Sequence, residues 1–225
     1  MACLPACTAR IDGSLAANGS AVLTVSLSLG QRMAGLIRSL AAAGGQASEQ
    51  ILDGAAISKS MSEAPGITSA SFRNTSPSAI EGQIRISQIS EFLSAANVEQ
   101  SNRFIIFEQT PSGGRCRINI NLDNGPDVLE NLSYEIFEYL NALMAPIVTG
   151  EEMSKSEYLD LITMFYNKAI SDEIAASRIR VSIEFPGPVT AVRGGTFTGR
   201  RANFDIPLVD LLVAETPLIY EVTWN

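Results

Sequence analysis

Apolar and polar positions alternate with a period of two over Leu23, Val25, Leu27 and Leu29 against Thr24, Ser26 and Ser28, the spacing that sends successive side chains to opposite faces of a strand. A second strand-like segment, 8–15, precedes it, and the tight-turn dipeptide Asn18-Gly19 lies between them, which predicts a hairpin with one apolar face. The period then changes. Met33, Leu36, Ile37, Leu40 and Ala41 fall at helical spacing over 31–43, and Gly44-Gly45 stops the run. A second helix is expected over 48–62, ending before Pro65-Gly66. Strands over 67–74 and 80–87, joined by Thr75-Ser76-Pro77-Ser78, lead to a short helix over 89–96. Another hairpin, 103–109 with 115–121, turns around Pro111-Ser112-Gly113-Gly114. The recurring theme is two strands followed by helix.

Two amphipathic helices follow. Gly125-Pro126 opens the first, with Leu129, Leu132, Ile136, Leu140 and Leu143 as its stripe up to Pro146. Ser154-Lys155-Ser156-Glu157 has capping-box spacing and introduces a second stripe of Tyr158, Leu159, Ile162, Phe165, Tyr166 and Ala169. After Ser177 the period returns to two, with Ile179, Val181, Ile183 and Phe185 on one side of a strand and Arg178, Arg180, Ser182 and Glu184 on the other. Glycine-punctuated short strands follow, and 218–224 is a last strand. The pattern predicts a single α+β domain over 8–225, an antiparallel sheet of β-hairpins packed against amphipathic helices, with 1–7 as a separate tether. An apolar cleft between such layers would suit an amphiphile.

Composition narrows the function. The chain has 225 residues, 46% hydrophobic and 18% charged, enough to bury a core without disulfides. A net charge of −8 opposes nucleic-acid binding, which needs a basic stripe. No run of about 20 apolar residues offers a membrane-spanning helix. The sequence has no histidine, so it lacks imidazole-based triads, histidine metal ligands and a side chain that titrates near neutrality unaided. The expectation is a protein without enzymatic activity, cofactor or metal.

Charge is also distributed unevenly. Acidic residues dominate 123–173, where a solvated helical face is the simpler reading than a catalytic acid pair. Between 175 and 201 the sign reverses: Arg178, Arg180, Arg193, Arg200 and Arg201 accompany one acid, Glu184. These arginines are expected to pair with the acidic helices, or else to contact lipid headgroups or an acidic protein partner.

Sequence motifs add little chemistry. Gly113-Gly114 and Gly194-Gly195 sit between strand-like segments and open no phosphate-binding helix. Asp123-Asn124-Gly125-Pro126-Asp127 resembles part of a calcium loop, but Tyr134 stands where the twelfth-position glutamate belongs, so a turn and helix cap is expected. Glu151-Glu152 reads as a solvent-facing pair. Cys3 and Cys7 lack the two-residue spacing of redox and zinc motifs, and Cys116 stands far from both.

The N-terminal Met1-Ala2-Cys3-Leu4-Pro5-Ala6-Cys7 resembles the end of a truncated lipoprotein leader, with Ala2-Cys3 as the small-residue junction before a lipidated cysteine and Ala6-Cys7 as the alternative. The closing segment carries a second resemblance: Phe185-Pro186-Gly187-Pro188-Val189, Gly194-Gly195, Asn203-Phe204-Asp205-Ile206-Pro207-Leu208 and Tyr220-Glu221-Val222-Thr223-Trp224 are similar to the end of LppM-like bacterial lipoprotein domains. That resemblance covers about the last fifty residues. It implies an envelope lipoprotein, periplasmic or on the outer surface, anchored through a lipidated cysteine, with a lipid- or glycolipid-binding role and no catalytic residues. An envelope interaction or assembly module without a small ligand is the alternative.

Overall fold

The computed structural model describes residues 6–43, 50–96, 104–110, 112–126 and 140–225. The first period-two pair forms strands β1 (Thr8–Leu15) and β2 (Ala21–Ser28), followed by α1 (Gln31–Ala43). Helix α2 (Gly54–Glu63) starts later than the apolar pattern suggests, because the Asp53 carboxylate accepts the N–H groups of Ala55 and Ala56 and fixes the first turn there. Strands β3 (Ile67–Ser76) and β4 (Ala79–Ile86), helix α3 (Ile89–Ala96), and strands β5 (Ile105–Thr110) and β6 (Gly113–Ile120) complete the first half. Gly113 and Gly114 belong to β6 rather than to its turn, and a Cβ on Gly114 would run into the Trp224 ring.

The expected helix opened by Gly125-Pro126 lies mostly outside the described residues. The second half then runs α4 (Pro146–Thr149), α5 (Lys155–Phe165), α6 (Lys168–Ala176), β7 (Arg178–Glu184), β8 (Val189–Arg193), β9 (Thr196–Thr198), β10 (Arg201–Pro207), α7 (Leu208–Val213) and β11 (Leu218–Trp224). The capping box at Ser154 and Glu157 forms as expected. The stripe beyond it does not continue as one helix. Asn167 accepts the Ile170 N–H and starts α6 afresh, so the register shifts and Phe165 turns outward.

The strands form two sheets where the sequence suggests one, in the orders β3-β4-β2-β1-β7-β10-β9 and β5-β6-β11-β8. Pairing is antiparallel except between β1 and β7, which run parallel from Thr8 opposite Arg178 to Ser14 opposite Glu184. A parallel pair needs a crossover, and α5 and α6 are part of the one that leads into β7. Helix α2 lies along the edge strand β3: the Ser58 Oγ accepts the Phe72 N–H at 2.7 Å and the Ser62 Oγ accepts that of Ala70 at 3.2 Å.

Two hydrophobic cores hold these layers. At one end Leu15, Ala21, Ile84 and Ile86 of the large sheet meet Val222 and Trp224 of the small one, with the Phe185 ring tilted against that of Trp224, 4.7 Å between centres. At the other end Met33, Ile37, Tyr158, Ile162, Ile170, Ile174 and Val213 form a helical core, against which Ile120 of β6, Leu29 just past β2 and Leu208 at the start of α7 pack. Cys7 belongs to this core, so the folded unit includes a residue that the sequence assigns to the tether.

Candidate functional site

The inward-facing side of β1 is the row Cys7, Ala9, Ile11, Gly13 and Leu15, which begins in the helical core and ends in the core around Trp224. Strand β7 runs alongside through Ile179, Val181 and Ile183 to Phe185, β2 through Leu29, Leu27, Val25 and Leu23 to Ala21, and β10 through Ile206 and Phe204 to Ala202. In the small sheet Ile118 faces the same interior opposite Tyr220, next to Cys116 and Val222. The middle of these rows differs from their ends. Ala9, Ile11, Leu27, Ile179, Val181, Ile206, Ile118 and Tyr220 are half-buried, and among the described residues none of them packs into either core. A close-packed interior buries its centre most completely, yet here the centre is the least completely buried part. The edge-on contact of Phe204 with Tyr220, 5.8 Å between ring centres, joins the two sheets beside this band. The band is apolar, incompletely buried and flanked at both ends by packed cores.

The opposite face of the large sheet is polar. Arg10 lies opposite Arg180, which lies opposite Asp205; one step along, Asp12, Ser182 and Asn203 are in line. The Arg10–Asp12 and Arg180–Asp205 pairs and the hydrogen bond from the Ser182 hydroxyl to Asn203 satisfy this surface locally.

The five arginines singled out from the sequence do not share one site. Arg178 donates to the carbonyls of Ala175 and Ser177 at the end of α6, where a cation suits the helix terminus. Arg180 faces outward on the large sheet and Arg193 on the small one, opposite Glu221. Arg200 and Arg201 both hold Glu184, at 3.1 Å each. Their partners are strand carboxylates and backbone carbonyls, in place of the acidic helices that the charge pattern suggests. The outer face of the small sheet adds Arg115, whose hydrogen bond holds the Glu221 carboxyl below its usual range, helped by the charges of Arg117 and Arg193.

Cys3 lies outside the described residues. Cys7 is 8% exposed; its backbone N–H donates to the Ser177 hydroxyl and its sulfur accepts the Gly30 N–H at 3.3 Å. Burial pushes its thiol up. A lipid thioether on that sulfur would have to displace the chain around Gly30 and the α6 contacts beside it. Cys116 is pushed up to about 11 by burial alone and is a thiol at neutral pH.

Glu173 is the residue that sequence reasoning overlooked by counting it with the solvated acids. It is 3% exposed, and its carboxylate accepts the Arg32 and Met33 N–H groups at 3.0 and 2.9 Å, capping α1 from across the core. Its place between Ile170 and Ile174, on the buried face of α6, is the signal that could have revealed it. At the candidate calcium loop, Asn121 accepts the Asp123 and Asn124 N–H groups while Asn124 accepts the Asn121 N–H. The side-chain oxygens of both asparagines are therefore spent on the turn itself. Glu151 and Glu152 are exposed.

No family model matches the sequence, and no curated protein matches it. Among solved structures, the NMR structure of the folded domain of Mycobacterium tuberculosis LppM aligns over 100% of this chain and 93% of that one, with a TM-score of 0.46 and 7% identity. That is a loose likeness of fold.

Proposed function

We propose that this protein is a non-enzymatic envelope lipoprotein that holds a lipid or similar amphiphile in the apolar band between its sheets, with acylation at Cys3 as its tether. The observation that carries the reading is the half-buried row of Ile11, Leu27, Ile179, Val181, Ile206 and Ile118 between two fully packed ends. Apolar side chains left incompletely covered gain by covering them with a ligand's hydrocarbon, at roughly 25 cal/mol per Å² removed from water. Binding of this kind needs shape and few polar groups. The tether rests on the Ala2-Cys3 junction. A role without catalysis accords with thiols and phenols that burial keeps protonated and with a buried carboxylate committed to capping.

Native mass spectrometry of the gently purified protein tests the ligand, with co-purifying lipid expected and Val181→Trp expected to displace it. Protein that is ligand-free and takes up no fluorescent fatty acid would refute the reading. Labelled palmitate incorporated by the wild type expressed with a lipoprotein leader, and lost in Cys3→Ser, tests the tether separately. An oligomer without lipid would favour the assembly alternative, for which the exposed Ile106 on edge strand β5 and Phe197 on β9 offer contacts on the sheet margins.

A further inference from the structure

Met164 and Phe165, at the end of α5, are the two most exposed large apolar side chains among the described residues, at 73% and 59%. Phe165 lines a surface cleft of about 550 Å³ between α1 and the α5–α6 junction, together with Leu36, Tyr166, Arg32 and Arg38. The cleft lining contains two arginines and no acid, in a chain whose net charge is −8. Both guanidiniums are exposed, and neither has an ion pair among the described residues. The nearby Glu173 points inward with its oxygens on backbone N–H groups. Asp172 is engaged by Lys168, and Asp160 lies one helical turn before Met164.

An exposed aromatic in the same cleft as the two arginines, preceded in the chain by an exposed methionine, combines the two contacts that an interfacial segment makes: apolar tips among the upper acyl chains and cations at the phosphates. We propose that this corner is a non-covalent docking face for an anionic lipid surface, with Met164 and Phe165 inserting and Arg32 and Arg38 meeting headgroup phosphates. The face is separate from the inter-sheet band and needs no acyl chain. A protein partner would be expected to present acids to the arginines and a pocket to Phe165; a bilayer supplies both chemistries without a matched shape.

Co-sedimentation of the full chain carrying Cys3→Ser, which removes the acylation site, with vesicles of equal parts phosphatidylglycerol and phosphatidylcholine tests this directly. Binding to these vesicles should exceed binding to pure phosphatidylcholine and weaken as salt rises. The double substitution Arg32→Gln with Arg38→Gln should weaken it roughly 30-fold, the size expected for two guanidiniums leaving a negatively charged surface. Met164→Ser with Phe165→Ser should weaken binding to both vesicle types. All four positions are exposed or at the surface cleft, so unchanged melting temperatures provide the folding control. Absence of binding by the Cys3→Ser protein, or binding that neither pair alters, would overturn the proposal. So would variants that change self-association but leave vesicle binding intact. Lipid co-purification is read by a different measurement, so each idea can fail alone.

Discussion

The helical end and the centre of the inter-sheet space are built from the same kind of residue, isoleucine above all, yet they are filled differently. Ile162, Ile174 and Val213 are essentially inaccessible, whereas Ile11, Val181 and Ile179 retain exposure although they sit on inward faces. Hydrophobicity alone therefore does not say what a position is for. Side chains at the packed end are covered by neighbours on every side and carry stability. Those in the central band are covered less completely, and carry stability in proportion to what lies over them.

The largest expected effect is at the packed end. Ile174→Ala should cost about 2–5 kcal/mol, since it removes buried methyls and leaves a cavity the helices cannot close, measurable as a shift in urea midpoint. Next comes Glu173→Ala, which leaves the buried Met33 N–H and the part-buried Arg32 N–H without their acceptor; a loss of about 1–3 kcal/mol is expected, with the N-terminal amides of α1 exchanging hydrogen faster. Val181→Ala should then cost only about 1 kcal/mol, because the valine is only partly buried. A cost equal to that of Ile174→Ala would mean that the centre is packed after all and would remove the basis for a ligand there. The smallest effect concerns pH. Glu221 has its folded pKa lowered below 4.5 by the Arg115 hydrogen bond first, so its contribution is present above that value and fades as pH falls through the lowered one. Glu221→Gln should flatten the acid limb of the stability curve slightly and leave stability across the neutral range nearly level.

Much of the architecture was readable because each local rule agreed with the final fold. The β1–β2 hairpin, α1, α3, the β7 strand and the closing β11 strand all follow from periodicity plus a turn or cap residue. What could not be read is what depends on distant partners. Period two tells which side chains share a face, but it does not say which sheet a strand joins, so neither the parallel β1–β7 register nor the division into two sheets was legible. Gly113 and Gly114 carry a turn signal locally, and only the chain end more than a hundred residues on, the Trp224 backbone over Gly113 and its ring over Gly114, explains why a strand wants them. At the α5–α6 junction the local clue existed: Asn167 is a capping residue inside an apolar stripe, and weighing it above the stripe would have turned Phe165 outward. For the candidate site, the apolar rows were legible residue by residue, but their incomplete burial was not, because exposure is a property of the assembled layers.

The serines of α2 against β3 have a consequence for the molecule's behaviour in a crowded compartment. A bare strand margin invites another chain to continue the ladder, and here Ser58 and Ser62 occupy the Phe72 and Ala70 amides that such an intruder would need. The opposite margin, β9, is only three residues long. The large sheet thus ends at one side under a helical guard and at the other on a stub, which discourages fibrous growth while its polar face stays open to water.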